Sequence, residues 1–382
     1  MTGRGSNHVL MVAVGELFAG AERQILSLLE YLGPDSPVTL AVFHDRELAR
    51  RVRALGLDVV ILPGSAAVSL AAARRIAAVV RAKSISVVHF HGYKAAVHVA
   101  LARMLVPFGA VATMHGAPES HGHTGLVRLR SHAYEVFEQL SIRYTDAIVV
   151  FVTRELAERM PKWRNRVRHH VIVNGVDRKT LENLPRPAEL ATPGCNVVVV
   201  GRLAHVKGVI FAIEAMRDAQ IPPRVRLYIV GDGPERRRLE PASVEYGLSD
   251  RVIFTGFRSD AAAFIAHADL VLLPSLHEGL PYTMLEAIAA GTPLAASAVG
   301  GLAETLEDKR TALLFPAGDV RAITAAIKFV ATEPERAREV AERAKQQLLS
   351  RFDAASMAMS YREIYACARS DSALPDAAPR NS

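Results

Sequence analysis

Short apolar segments alternate with helix-patterned segments along most of this chain, and this alternation restricts its possible folds more than any other feature. Residues 9–14 are apolar throughout, whereas residues 21–32 carry apolar side chains at helical spacing. The same pair of patterns recurs up to residue 173. Strands that are apolar throughout need cover on both faces, which is typical of a parallel sheet with helices on either side. The sequence therefore predicts an α/β fold.

The alternation is interrupted once and then restarts. Residues 184–194, LPRPAELATPG, contain three prolines, which break any regular element and indicate a linker. A chain of 382 residues is long enough for two sizeable cores. We predict one domain at residues 1–185 and a second at 186–353, followed by a separate helix at 354–368 and a disordered tail at 369–382.

Charge, cysteine usage and hydropathy restrict the possible ligands, the possible disulfide and zinc sites, and the location of the protein. The formal net charge of +7 favours anionic partners, although 46 Lys and Arg stand against 39 Asp and Glu. The two cysteines lie far apart and predict neither a disulfide framework nor a zinc site. No run of about 20 apolar residues lacks a charge, so we expect no membrane span. We predict a cytoplasmic protein and leave peripheral contact with the inner face of the plasma membrane open.

Two carboxylates stand out in residues 272–290, LLPSLHEGLPYTMLEAIAA. This stretch predicts a strand end, a turn and a helix, with Glu278 in the turn and Glu286 inside the otherwise apolar helix. A buried carboxylate needs partners. Because an ionised carboxylate only accepts hydrogen bonds, the hydroxyls of a sugar or ribose suit it. The alternative, a solvated Glu286, has little polar helix face to support it.

Residues 201–208, GRLAHVKG, follow the first strand of the second domain and open its first helix. Ligands of open α/β sheets bind beyond the carboxyl ends of the strands, so Arg202 and Lys207 suit a diphosphate there. Two solvated surface cations are the alternative. The turn at Gly231 and the strand end at Phe257 lie on the same predicted edge, where backbone groups suit a nucleotide base. The glycines equally serve the turn itself.

The first domain has a corresponding turn in residues 15–23, GELFAGAER. Gly20 lets the backbone approach a ligand, and the helix that begins there directs its positive end toward it. His115, in the segment TMHG, directly follows a strand and therefore lies on the carboxyl edge, where we expect a functional role. The NGVD segment at 174–177 is a turn signal that needs no ligand.

Two further segments have ordinary explanations. The predicted helix at residues 126–144 is amphipathic and carries several arginines, so a solvated face is expected, with contact to anionic lipid or to an anionic acceptor as the other interpretation. His121 and His123 lack companion ligands at metal spacing, so we predict a loop there and no metal site.

The segments GAER, MHG, NGVD, GRL followed by VKG, VGDGP, TGF and EGLPYTMLEA, in this order, resemble glycosyltransferase family 4. Its members are retaining enzymes of the GT-B fold. The resemblance covers residues 8–365 and is closest in the second domain. It implies two Rossmann-like domains that face each other across a cleft, the first binding the acceptor and the second the sugar nucleotide, with a final helix that crosses back to the first domain. Ala19 stands where many members carry a glycine.

The resemblance also implies roles for particular residues. Glu286 would bind the ribose hydroxyls and Glu278 the hydroxyls of the transferred sugar. Arg202 and Lys207 would neutralise the diphosphate leaving group, which Gly20 would meet from the other domain. His115 would contact the donor sugar near the reacting carbon. The donor-binding set is completed by residues of the strand-end turns and of the 279–285 segment: Gly231, Phe257, Gly279, Leu280, Pro281 and Leu285.

The implied reaction is hexosyl transfer with retention, without a metal, a cofactor or an enzymic nucleophile. A nucleotide-diphosphate sugar, by default a UDP-sugar, would donate to a saccharide or a polyprenyl-linked acceptor in the synthesis of cell-surface polysaccharide or glycolipid. Alternatives are a sugar-nucleotide epimerase or hydrolase on the same scaffold, or a non-enzymatic anion-binding or scaffold protein. Nucleic-acid binding is disfavoured, because no basic strands with interleaved aromatic residues occur.

Overall fold

The computed structural model describes residues 8–16, 18–32, 37–64, 68–116, 126–160 and 165–372, without the side chains of 126–132 and 370–372. The chain divides into two compact units. The first comprises Met1–Val173 and Ala354–Ser382, and the second comprises Asn174–Asp353. Within the described residues, no helix is long and apolar enough to cross a membrane.

The first unit is built on a parallel sheet of strand order β3-β2-β1-β4-β5-β6-β7. All residues of β1, β2, β4 and β5 are buried, as strands covered on both faces require. The strands are β1 Val9–Ala13, β2 Val38–Val42, β3 Asp58–Ile61, β4 Val87–His91, β5 Gly109–Met114, β6 Ile148–Phe151 and β7 His169–Val171. Its helices are α1 Gly20–Leu32, α2 Glu47–Ala54, α3 Leu70–Ala82, α4 Tyr93–Arg103, α5 Leu126–Thr145 and α6 Arg154–Arg159.

The second unit repeats this architecture with the strand order β10-β9-β8-β11-β12-β13, again parallel throughout. Its strands are β8 Cys195–Val200, β9 Val225–Val230, β10 Val252–Gly256, β11 Leu270–Leu273, β12 Leu294–Ser297 and β13 Leu313–Phe315. Its helices are α7 Val209–Ala215, α8 Arg236–Glu245, α9 Ala261–His267, α10 Tyr282–Ala290, α11 Gly300–Thr305, α12 Val320–Thr332 and α13 Pro334–Leu348. The two sheets confirm the predicted α/β class.

The last helix, α14, runs from Ala354 to Ser372 and belongs to the first unit. It packs on α1 and β5, and its backbone approaches β5 so closely that a Cβ at Gly109 would lie 2.2 Å from the carbonyl oxygen of Ala368. The predicted disordered tail is therefore wrong at residues 369–372, which continue the helix. The rest of that predicted tail lies outside the described residues.

The second unit begins twelve residues before the predicted boundary at 185/186, since it starts at Asn174. The side-chain amide of Asn174 donates to the Leu280 carbonyl, and the Leu184 carbonyl pairs with the ring of His267. The predicted linker is also structured in part. Residues Ala188–Ala191 form a short 3₁₀ helix in which Leu190 is fully buried. The proline-rich segment at residues 184–194 is therefore part of the second unit, because its residues pack against that unit.

Candidate functional site

The loops that follow β8, β9 and β10 are joined by backbone hydrogen bonds at the carboxyl edge of the second sheet. The amide of Gly201 donates to Val230, and that of Gly231 donates to Gly256, at 3.0 and 2.8 Å. Gly231 has a φ of +143°, and a Cβ there would lie 1.9 Å from the carbonyl oxygen of Gly201. This close approach requires glycine at position 231 whether or not a ligand binds. A role of Gly231 in donor binding stays a prediction.

The GRLAHVKG loop is held against the loop that follows β11. Gly208, with a φ of +60°, precedes α7, and a Cβ there would lie 2.1 Å from the carbonyl oxygen of Pro274. The amide of Leu276 donates to the carbonyl of Val206 at 2.8 Å. Because the two loops are joined in this way, Lys207 is brought to the segment that contains Glu278.

Lys207 and Glu278 form an ion pair. The Nζ of Lys207 donates to Oε1 of Glu278 at 2.7 Å, and the hydroxyl of Ser275 donates to the same oxygen at 2.7 Å. Glu278 is 7% exposed, so its charge is compensated inside the protein. Gly300, at the start of α11, packs against the Glu278 backbone, where a Cβ would lie 1.9 Å from the carbonyl oxygen. Ser275 and Gly300 were not predicted as site residues.

Glu286 lies inside α10 and is 2% exposed, which confirms that this carboxylate is buried in an apolar helix. Its neighbour Leu285 has no exposed surface. The side chain of Leu285 is therefore part of the core. A role of Leu285 in donor binding stays a prediction.

The turn at residues 279–281 leads into α10, which begins after Pro281. Asn174 holds this turn, because its Nδ2 donates to the carbonyl oxygen of Leu280 at 2.8 Å. Asn174 is 4% exposed, and its Oδ1 has no hydrogen-bond partner among the described residues. The NGVD segment was predicted only as a turn, but its asparagine also fixes the 279–281 turn through this hydrogen bond. The asparagine itself was the available signal, since a buried amide must find partners.

Arg202 and Phe257 lie on the loops that follow β8 and β10, as predicted from sequence order. Arg202 is partly exposed, and Phe257 is 57% exposed. An aromatic ring exposed beyond a strand end is available for stacking on a base. Together with the Lys207–Glu278 pair, these residues place cationic, anionic and aromatic groups on loops at one edge of a single sheet.

In the first unit, Gly20 is the first residue of α1 and is exposed. A Cβ at this position would meet nothing within 4 Å. The backbone amide of Ala19 donates to Oε2 of Glu22 at 3.1 Å, which caps the start of the helix. The approach to α1 at Gly20 is thus open, and packing within the protein does not explain a glycine there.

His115 follows β5 and pairs with a second histidine. Nε2 of His115 lies 2.9 Å from Nδ1 of His91, the last residue of β4, and the two rings stack with centroids 5.2 Å apart. Burial lowers the pKa of His115 to about 4 and that of His91 well below its ordinary value. Both imidazoles are therefore neutral at pH 7, and His115 is a hydrogen-bonding group and not a cation there.

A buried polar network lies behind this pair. The ring of His89 contacts the hydroxyls of Tyr365 and Thr113, each at 2.8 Å, and Thr113 Oγ1 lies 2.9 Å from the Tyr361 hydroxyl. The network therefore links α14 to β4 and β5. His89 and His91 were not predicted as site residues. The available signal was the segment HFHG at the end of β4, which repeats the histidine-glycine ending of TMHG on the neighbouring strand.

Among the described residues, no group of three or more His, Cys, Asp and Glu side chains is arranged to hold a metal ion. The predicted loop at His121 and His123 lies outside the described residues, as do the side chains at the beginning of α5. The absence of a metal from the reaction stays a prediction.

Known proteins resemble this chain along most of its length. Residues 18–180 match the family described as Glycosyltransferase Family 4, and residues 182–347 match Glycosyl transferases group 1. The chain is 40% identical over 172 residues to 2-deoxystreptamine N-acetyl-D-glucosaminyltransferase of Streptomyces fradiae, covering 43% of this chain and 41% of that protein. It is 31% identical over 296 residues to glycogen synthase of Mycobacterium tuberculosis, covering 74% of this chain and 69% of that protein. The match to the Streptomyces protein thus spans less than half of its length.

Solved structures share the fold. Anabaena Alr3699/HepE in complex with UDP and glucose aligns with a TM-score of 0.80 at 20% identity, over 94% of this chain and 100% of that chain. WaaG, a glycosyltransferase involved in lipopolysaccharide biosynthesis, aligns with a TM-score of 0.70 at 18% identity, over 94% and 99%. These likenesses confirm the predicted GT-B fold of two α/β domains. The family matches to both halves and the identity to glycogen synthase establish that the chain belongs to glycosyltransferase family 4, among the group 1 glycosyltransferases.

Proposed function

We propose that this protein is a retaining, metal-independent hexosyltransferase that uses a nucleotide-diphosphate sugar. The observation that carries the proposal is the Lys207–Glu278 ion pair on the loops at the carboxyl edge of the second sheet, with Glu286 buried in the helix that follows. A cation for the leaving diphosphate and carboxylates for hydroxyl groups are the chemistry that such a donor needs.

The ion pair suggests how the charges of Lys207 and Glu278 are neutralised when no ligand is bound. Without a ligand, Glu278 compensates Lys207, and Ser275 adds a second hydrogen bond to the same carboxylate oxygen. A bound diphosphate would offer Lys207 a more highly charged partner, which would leave Glu278 available to the hydroxyls of the transferred sugar. The departing diphosphate oxygen would then accept the proton of the acceptor hydroxyl, so that no enzymic nucleophile is required.

We propose a UDP-sugar as the donor and a saccharide or polyprenyl-linked saccharide as the acceptor. The donor is supported by HepE, whose structures contain UDP, UDP with glucose, and UDP-glucose. The acceptor class is supported by relatives named for lipopolysaccharide core biosynthesis and for glycogen synthesis. The roles of Gly20 at the diphosphate and of His115 at the donor sugar belong to the same proposal.

Thermal unfolding with UDP-, GDP- and ADP-glucose tests donor binding. A donor at 100 times its Kd should stabilise the protein by about 2.7 kcal/mol, whereas duplex DNA should not. Glu286→Gln keeps the size of the side chain and should abolish the response. If none of a full panel of nucleotide sugars raises the Tm, the donor proposal is wrong.

The products decide between transfer and the other reactions on this scaffold. With an oligosaccharide acceptor, we expect a new glycosidic bond that keeps the anomeric configuration of the donor, and we expect EDTA to leave the rate unchanged. Release of free sugar without transfer would indicate a hydrolase, and conversion of the donor into its epimer would indicate an epimerase. Inversion, or loss of the rate in EDTA, would contradict the corresponding part of the proposal.

We also propose that α5 contacts an anionic membrane surface. Phe137, Leu140 and Tyr144 are 56%, 56% and 57% exposed, and their spacing of three and four residues places them on one helix face. The net charge of +7 favours anionic lipid. Co-sedimentation should show binding to phosphatidylserine vesicles that Leu140→Glu weakens. Equal binding to purely zwitterionic vesicles, or no effect of the substitution, would contradict this contact.

A further inference from the structure

The pair of histidines at the carboxyl edge of the first sheet has a defined geometry. His91 ends β4, and His115 follows β5, which pairs with β4 in parallel register with His91 opposite Thr113. Nδ1 of His91 and Nε2 of His115 lie 2.9 Å apart. The ring of His91 also lies against that of His89, with centroids 4.3 Å apart, and His89 is fixed by Tyr365 and Thr113. The orientation of His91 is therefore set by packing.

Only one of the two rings can donate the hydrogen bond between them. Both imidazoles are neutral because burial disfavours their charged forms. A neutral imidazole carries one N–H and one lone pair, so the bond requires an N–H on one ring and a lone pair on the other. The two possible arrangements leave different groups on the outer nitrogens, Nε2 of His91 and Nδ1 of His115.

The surroundings of His91 distinguish the two arrangements. Its Nε2 is buried and has no hydrogen-bond partner among the described residues. If His115 donated, Nε2 of His91 would carry a buried N–H without an acceptor. If His91 donates from Nδ1, only a lone pair is left unsatisfied at Nε2. Buried N–H groups without a partner are rarer in proteins than under-satisfied acceptors. The second arrangement is therefore favoured.

We propose that His91 is a positioning residue that fixes the tautomer of His115. The Nδ1–H of His91 donates to Nε2 of His115, so His115 carries its own proton on Nδ1. That nitrogen has no hydrogen-bond partner in the described part of the chain. His115 then offers an N–H donor to a ligand oxygen, such as a sugar hydroxyl or a phosphate oxygen, and does not offer a base. The catalytic consequence rests on the proposed contact between His115 and the donor sugar.

Another histidine of the same unit supplies an internal reference. Nδ1 of His98 lies 2.6 Å from the carbonyl oxygen of Lys94, and its Nε2 accepts from the backbone amide of Ser69 at 2.9 Å. A carbonyl only accepts and an amide only donates, so His98 must carry its proton on Nδ1. In a spectrum of the whole protein, His98 therefore defines the signature of the tautomer that we expect for His115.

Long-range proton–nitrogen NMR of the ¹⁵N-histidine-labelled full chain tests the tautomer without any ligand. In the wild type, His115 should show the same pattern as His98, with a protonated Nδ1 and an unprotonated Nε2. His91→Phe keeps a planar ring without the donor and should shift His115 toward the Nε2–H form, while His98 stays unchanged. His91→Asn keeps an amide donor near the position of Nδ1 and should restore the Nδ1–H form. A protonated Nε2 on His115 in the wild type would overturn the proposal.

Transfer kinetics with the same variants test the consequence. We expect His91→Phe to lower kcat/KM for the donor roughly tenfold, as for a lost hydrogen bond, and His91→Asn to recover most of it. An unchanged kcat/KM in a His91→Phe protein whose His115 tautomer has shifted would overturn the catalytic part. If the tautomers behave as expected but the wild type transfers from no donor, the proposed function fails while the positioning by His91 stands.

Discussion

At the carboxyl edge of the second sheet, some residues are required by packing within the protein, and others carry charges that a ligand can use. Glu278 is buried and receives hydrogen bonds from Lys207 and Ser275 on one oxygen. Gly231, in contrast, is explained by the approach of the Gly201 carbonyl alone. Substitutions at these positions should therefore separate effects on folding from effects on ligand binding.

Lys207→Gln should reduce turnover by about two orders of magnitude, because it removes a cation from the developing charge of the leaving group. Stability should fall by only about 1 kcal/mol, since Ser275 still donates to Glu278 and the lysine is partly exposed. Lys328→Gln is the matched control, because Lys328 belongs to the same unit, is also partly exposed and donates to Gln220. Steady-state kinetics and urea unfolding measure both effects. Wild-type turnover in Lys207→Gln would refute the assignment.

Gly20→Ala and Gly231→Ala should have opposite consequences. A methyl group at position 231 would overlap the Gly201 carbonyl at a φ that disfavours side chains, so stability should fall by about 2–4 kcal/mol. A methyl group at position 20 meets no protein atom within 4 Å, so the fold should keep its stability while donor affinity falls. Calorimetry of folding and of donor binding separates the two. If Gly20→Ala binds donor normally, a close approach of diphosphate at Gly20 is wrong.

The start of α10 is the element on which the proposed donor site depends. The turn at 279–281 is held from outside the helix by Asn174, the first residue of the second unit. In the same way, α11 packs its first glycine against the backbone of Glu278. The turn therefore takes its shape from segments that are distant in sequence.

Asn174→Ala should raise the KM for the donor roughly tenfold, because the Leu280 carbonyl and the turn lose their hydrogen bond. Asn196→Ala is the matched control. Asn196 is also buried, and its Nδ2 also donates to a leucine carbonyl, that of Leu190, but in the segment before β8. Both variants should lose stability, and only Asn174→Ala should lose donor affinity. Equal KM values in the two variants would show that Asn174 acts on folding alone.

Each unit of the molecule has its own parallel sheet and core, and the first unit also contains the buried His89 and the half-buried His115. Burial lowers the pKa of His89 to about 3 and that of His115 to about 4, both below the ordinary value of 6.5. These two histidines therefore bind more protons in the unfolded chain than in the folded chain between about pH 6.5 and pH 4. The stability that these histidines contribute is complete above that range and is lost as the pH falls through it.

His115→Gln should make the free energy of unfolding less sensitive to acid between pH 7 and pH 4.5 than that of the wild type. The reason is that the variant has no imidazole to protonate on unfolding. The carboxyl group of Glu138, whose pKa burial raises to about 7, titrates in both proteins and cancels in the comparison. Urea unfolding over this range measures the difference. Parallel pH profiles would show that His115 is not buried as a neutral group.

Most strands and helices could be predicted because each is long enough for its pattern of apolar residues to be recognised in the local sequence. The apolar segment predicted at residues 9–14 differs by one residue from β1 Val9–Ala13, and the helical segment predicted at residues 21–32 differs by one residue from α1 Gly20–Leu32. In contrast, α11 and β13 were not predicted. Both are short, and β13 lies at the edge of its sheet, where Leu313 and Leu314 are only partly buried and the apolar pattern is weak.

The sequence by itself determined the α/β architecture, the family and the burial of Glu286, because apolar periodicity and the order of the strand-end motifs are local properties. Only the tertiary structure decided that Lys207 contacts Glu278, that Asn174 holds the turn at Leu280, and that His91 faces His115. In the first two contacts, loops or chain segments distant in sequence meet. In the third, two side chains from neighbouring strands meet. A local pattern can mark such residues, as the HFHG segment and the buried Asn174 do, but which side chains meet depends on strand order and on loop packing.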